Sequence, residues 1–169
     1  MTDLPTIRVY VAGPLYGSGT SGANIHAALG VAERLRAAQM WPFVPHLYHQ
    51  WEIMHPHPEA YWLDMDRIWL ETCDAMVRIA GKSPGSSLEE RWCAELGIPV
   101  YHEGEGARGV SALVSAYSAG DVQPRGTHVR VTVPEDPLAL RASLRASQAQ
   151  GSGRVGGAHV AHQGDPRRA

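Results

Sequence analysis

The sequence predicts an α/β sandwich in which a parallel sheet of four to five strands lies between two layers of helices. Three observations carry that prediction. Apolar or β-branched runs of strand length recur along the chain, most are followed by a stretch of helical period, and Gly- or Pro-containing links separate them.

The first strand is the run Ile7-Arg8-Val9-Tyr10-Val11-Ala12, which stops at Gly13-Pro14. Ile25, Leu29, Ala32, Leu35 and Ala38 then recur at helical spacing, predicting a helix over residues 24–39. Residues 41–44 make a short second strand, and residues 46–57, rich in aromatics and histidine and punctuated by prolines, read as a loop or lid. Helical period returns from Glu59 through Tyr61, Trp62, Met65, Ile68, Trp69 and Thr72, followed by a third strand over residues 74–80. Ser86 is placed to cap a helix over residues 88–96, which Gly97 and Pro99 end before a fourth strand at residues 98–101. A last helix over residues 109–118 closes the compact part. Alternation with short links favours right-handed crossovers in a Rossmann-like or flavodoxin-like arrangement.

The chain divides near Gly120. Residues 1–120 form the expected catalytic domain, and residues 121–169 an extension with one strand (127–133), one loose helix (137–148) and a tail too poor in apolar residues to offset its ordering entropy.

With 169 residues, 44% hydrophobic content and a formal charge of -2, the chain can bury one core and carries little net charge. No basic stripe suggests a nucleic acid polymer, no apolar run is long enough for a membrane span, and the N-terminus lacks a signal-peptide layout, so a cytoplasmic protein acting on a small molecule is expected. Cys73 and Cys93 fall in buried segments and read as reduced, packed thiols.

Open parallel sheets bind ligands at the carboxyl ends of their strands, and here three such loops hold the distinctive residues. The first carries Gly13, Gly17, Ser18, Gly19 and Gly22, whose amides could wrap an anion; a flexible turn is the alternative. The third, Gly85-Ser86-Ser87-Leu88-Glu89, puts a carboxylate in the first turn of the expected helix, where the macrodipole favours the ionised form of a nucleophile. Spacing alone does not separate Glu89 from Glu90 or from an ordinary first-turn acid. Asp66, on the helix entering strand three, could pair with Glu89 in glycosidic chemistry, whereas Asp64 reads as solvated. His46, His49, His55 and His57 lack Cys, Asp or Glu in metal-ligand register, so no metal or other cofactor is expected. With Tyr48, Trp51, Tyr61 and Trp62 they read instead as the wall of a pocket for a flat base.

In this order the segments resemble the nucleoside 2-deoxyribosyltransferase superfamily, which includes the deoxynucleoside monophosphate N-hydrolases. Val9-Tyr10-Val11-Ala12-Gly13-Pro14-Leu15 is similar to its first-strand signature, and the run from Asp66 to Asp74 to its acidic helix and strand opening. Ser83-Pro84-Gly85-Ser86-Ser87-Leu88-Glu89, with Ala94-Glu95-Leu96-Gly97-Ile98-Pro99-Val100, is similar to its nucleophile block. The resemblance implies Glu89 as nucleophile and Asp66 on the sugar. It implies Ser83 with the Gly17 to Gly19 amides on a 5'-phosphate, Gly85 and Ser87 among the substrate-binding residues, and Tyr10 with His46, His49 and Trp51 around the pocket. It also implies a homodimer or higher homo-oligomer. Ser83 tilts the expected substrate toward a 5'-monophosphate, and the Ala12-Gly13-Pro14 start toward base exchange. A nucleotide-binding sensor without chemistry is the reading of a different class.

Overall fold

The computed structural model describes residues 7–17 and 19–126. Strands β1 (Arg8–Ala12), β2 (Trp41–Phe43), β3 (Ala75–Ile79), β4 (Val100–Gly104) and β5 (Ala107–Arg108) form one sheet in the order β2-β1-β3-β4-β5. The first four are parallel, and β5 pairs antiparallel with β4 through a hairpin. That hairpin was not anticipated, because β5 is two residues long and its sequence carries no strand signal. The order is that of flavodoxin-like sheets, and the direction of winding reverses between β1 and β3.

Side-chain alternation in β1 builds two cores. Val9 and Val11 join Ala28, Val31 and Leu35 of helix α1 (Ser21–Ala37) and Val110 and Leu113 of α5 (Gly109–Ala119) on one face. Tyr10 and Ala12 join Leu70 of α3 (Glu59–Glu71), Cys73, Met76 and Cys93 of α4 (Pro84–Leu96) on the other. This is the expected three-layer sandwich. Both cysteines are free and buried, and burial pushes each thiol up to about 12.

Several element boundaries and faces differ from the sequence expectation. Helix α1 begins at Ser21 because Thr20 caps it, accepting from the Ala23 amide at 3.3 Å. Its buried face turns through Ala28 and Val31, leaving Leu29 exposed. The stretch expected to be a loop is helical: a 3-10 turn at Pro45–Leu47 leads into α2 (Tyr48–Met54), since the prolines stand outside α2 and leave it uninterrupted. Helix α3 forms as expected but exposes Ile68 and Trp69, and the fourth strand runs two to three residues later than expected.

Helix α4 starts at Pro84, not Leu88. Ser83 is its cap, accepting from the Ser86 amide at 3.2 Å, with proline favoured at the first helical position.

Packing continues past Gly120. Val122 is buried, and the amides of Arg8 and Arg125 both donate to the buried Asp74 carboxylate at the amino end of β3. The strand expected at residues 127–133, the helix at 137–148 and the tail lie outside the described residues. No helix among the described residues is long and apolar enough to cross a membrane.

Candidate active site

A cavity of about 280 Å³ opens at the carboxyl ends of the strands, at the β1/β3 reversal. The segments that follow β1, β2 and β3, together with helix α3, wall it. The loop after β1 gives Gly13, Leu15, Tyr16 and Gly17; the segment after β2 gives Pro45, His46, Tyr48, His49 and Glu52; the opening of α4 gives Ser83 to Ser86 and Glu89. From α3 come Glu59, Trp62, Leu63 and Asp66, spaced three, one and three residues apart and so on one helical face.

Glu89 and Asp66 therefore share one cavity. Tyr10, buried beneath it on β1, donates its hydroxyl to Glu89 Oε1 at 2.7 Å. Glu89 is 5% exposed, and burial raises its carboxyl pKa above the ordinary value. The Tyr10 hydrogen bond, the Arg78 guanidinium and Ser86 pull in the opposite direction. Asp66 is pushed up to about 7 by burial and by the Glu89 charge, with Tyr10 opposing. The ionisation expected from the helix macrodipole is not what sets Glu89. With the cap at Ser83, Glu89 falls in the second turn, where that field has faded, and desolvation dominates.

Six buried polar side-chain atoms among the described residues lack a hydrogen-bond partner, and four belong to residues lining this cavity: both ring nitrogens of His46, the Tyr48 hydroxyl and Asp66 Oδ1. Burial lowers the His46 pKa and raises that of Tyr48, so both are neutral near pH 7. The Gly13 and Pro14 carbonyls lie near the His46 ring without hydrogen-bonding geometry. Such unpaired groups cost roughly 1–3 kcal/mol each unless a ligand or water completes them.

The remaining sequence candidates are placed as follows. Gly13, Gly17, His46, His49, Ser83 and Gly85 line the cavity. Ser83 Oγ is occupied in the cap, accepting from both the amide and the hydroxyl of Ser86. Ser87 is exposed and donates its hydroxyl to the Ser83 carbonyl. Gly19 and Trp51 are not among the lining residues; Trp51 stands edge-on to Trp62, with ring centroids 5.3 Å apart. Ser18 lies outside the described residues.

Three functional candidates escaped the sequence reading. Glu52 and Glu59 stand at the mouth, and Arg78 is buried beneath α4, donating to Glu90 and Ser87. Glu59 stands seven residues before Asp66, a helical spacing that could have revealed it. Arg78 was visible as the lone charge in the apolar run Ala75–Ile79. Among the described residues, no group of three or more His, Cys, Asp or Glu side chains is placed to hold a metal.

At the reversal point of a doubly wound sheet, Glu89 and Tyr10 are buried together, and the half-buried Asp66 lines the same cavity as Glu89. No family model and no curated protein matches the chain. Similar solved structures include a 2-deoxyribosyltransferase from the psychrotolerant bacterium Bacillus psychrosaccharolyticus, 19% identical with a TM-score of 0.43, covering 56% of this chain and 70% of that one. They also include a 2-deoxyribosyltransferase from Leishmania mexicana, 16% identical with a TM-score of 0.44, covering 82% of this chain and 96% of that one.

Proposed function

We propose that this chain cleaves the N-glycosidic bond of a nucleoside, with Glu89 attacking the anomeric carbon. The observation that carries the reading is that Glu89 and Asp66 line one cavity and the buried Tyr10 hydroxyl donates to Glu89. A buried carboxylate held by a tyrosine and steadied by Arg78 is poised to bond to a carbon that becomes cationic as its base departs. That developing positive charge favours the ionised form of Glu89, offsetting the desolvation that opposes it.

Asp66 sits where it can hold a sugar hydroxyl, and with its carboxyl raised to about 7 it can deliver a proton to a departing neutral base. Water then resolves the glycosyl-enzyme. Transfer of the sugar to a second base is the alternative outcome of the same intermediate.

A nucleoside is favoured over its 5'-monophosphate. Among the described residues no Lys or Arg lines the cavity, and four carboxylates do. A phosphate dianion would meet like charge with little to offset it.

The test is chromatography of the purified protein mixed with nucleosides and their monophosphates, with and without a free acceptor base. Free base released without acceptor supports hydrolysis. A new nucleoside formed only with acceptor supports transfer. Absence of both, with every substrate intact, overturns the reading.

A further inference from the structure

The mouth of the cavity has a chemistry of its own. Glu52 and Glu59 face it from α2 and α3, so with Asp66 and Glu89 the Asp, Glu, Lys or Arg side chains that line it among the described residues are all acidic. The wall between the two pairs of acids is aromatic. Trp62 lines the cavity with Tyr48 stacked beside it, centroids 5.6 Å apart and planes 29° from parallel. The Trp62 indole N–H donates to Glu52 Oε2, and the His57 amide donates to the same oxygen at 3.1 Å, which fixes that carboxylate against the ring.

Carboxylates around aromatic faces form a cage that attracts organic cations. Glu59 lies seven residues from Asp66 on one face of α3, about 10 Å along the helix axis, which is close to the length of a nucleoside. A sugar held at Asp66 and Glu89 would place its base against Trp62 and between the two outer acids.

A second feature points to a ligand independently. His46 is 4% exposed, lines the same cavity, is neutral, and has neither ring nitrogen paired. Neutral imidazole offers one donor and one acceptor, the complement of a carboxamide or similar uncharged polar substituent.

Resting on the glycosidic reading above, we infer that the base subsite takes a positively charged heteroaromatic base, an N-ribosylpyridinium of the nicotinamide riboside type, in preference to a neutral one. The chemistry suits the site. A Glu89 oxygen bonds to the anomeric carbon as the carbon–nitrogen bond breaks, and the bonding pair passes to the ring nitrogen. The pyridinium leaves as a neutral pyridine with no proton required. Water then bonds to the anomeric carbon, the Glu89 ester bond breaks, and the water proton passes to solvent.

The experiment is equilibrium binding to the Glu89→Gln protein, which holds substrate without turning it over. Nicotinamide riboside is compared with its uncharged dihydro form and with neutral nucleosides. The cation is expected to bind about tenfold tighter than the dihydro form, and high salt should narrow the gap. Glu52→Gln keeps an acceptor oxygen for Trp62, and Glu59→Gln alters an exposed position, so both variants should fold. Each should cut the preference by about threefold to fivefold. Equal binding of the two forms, or a preference unchanged in both variants, overturns the inference. If the wild type cleaves neutral nucleosides while the cation shows no advantage, the cage fails and the glycosidase stands. If the cation binds selectively and nothing is cleaved, the cage stands and the glycosidase fails.

Discussion

The Tyr10 hydroxyl donates to Glu89 Oε1 at 2.7 Å, joining the third residue of the first strand to the second turn of the fourth helix. The bond is buried and pulls the Glu89 pKa down against the pull of desolvation. Tyr10→Phe should therefore raise the Glu89 pKa and move the acid limb of the pH–rate profile to higher pH. At neutral pH the rate should fall about tenfold or more, the worth of one hydrogen bond to a charged group. Glu89→Gln should reduce turnover by at least about a thousandfold while leaving binding intact. Initial rates against pH, with binding measured separately, check both.

Asp66 gives a pH signature in stability as well. Its folded-state value of about 7 stands above the ordinary 3.8, so between those values the folded chain holds a proton that the unfolded chain has released. Stability should therefore rise as pH is lowered from above 7 toward 4, with Glu89 acting in the same direction. Thermal melts across that range should show the trend, and Asp66→Asn should flatten it.

In catalysis the same residue predicts a difference between substrates. A neutral base needs the Asp66 proton, so its cleavage should fall as pH passes through about 7. A pyridinium base does not, and its profile should lack that descending limb. Parallel profiles for the two substrate types would argue against Asp66 as the proton donor.

Two glycines make a matched pair. The Cβ of an alanine at Gly17 would stand 2.3 Å from the Lys82 carbonyl oxygen, whereas one at Gly30, within α1, meets nothing within 4 Å. Gly17→Ala should force the loops after β1 and β3 apart, costing about 1–3 kcal/mol and lowering activity with it. Gly30→Ala should stabilise the protein by roughly 0.5–1 kcal/mol and leave activity unchanged. Denaturant melts and rate assays on the two variants check this.

At the opposite end of the sheet, Asp74→Asn should separate stability from chemistry. The buried carboxylate accepts from the amides of Arg8 and Arg125, and an asparagine amide would face one of those donors with a donor of its own. A loss of about 2–3 kcal/mol is expected. A melting point lowered by several degrees with unaltered KM is the expected result.

Much of the fold was legible because its cause is local. The strand of Ile7 to Ala12, the helix from Glu59 and the stop at Gly97 each follow from a side-chain period or a backbone preference. The start of α4 was misjudged because Ser83 and Ser86 are both competent caps, and only Pro84, favoured at the first helical turn, breaks the tie. The helix at Tyr48–Met54 was hidden by the prolines and histidines around it, since its support is aromatic packing against Trp62 from another helix. At the site, Glu89 and Asp66 were visible by motif. Their ionisation was not, because desolvation depends on what closes over a group, and no local pattern encodes that. Glu52 and Glu59 were passed over for a related reason. An acid on a helix looks solvated until the facing wall is known.

Because Glu59, Trp62 and Asp66 ride on a single helical rod, the proposed recognition at the entrance and the proposed bond-breaking at Asp66 would be held at a fixed separation. Diversification of ligand choice can then proceed by exchanging residues near the amino end of that rod, while the reactive end keeps its alignment.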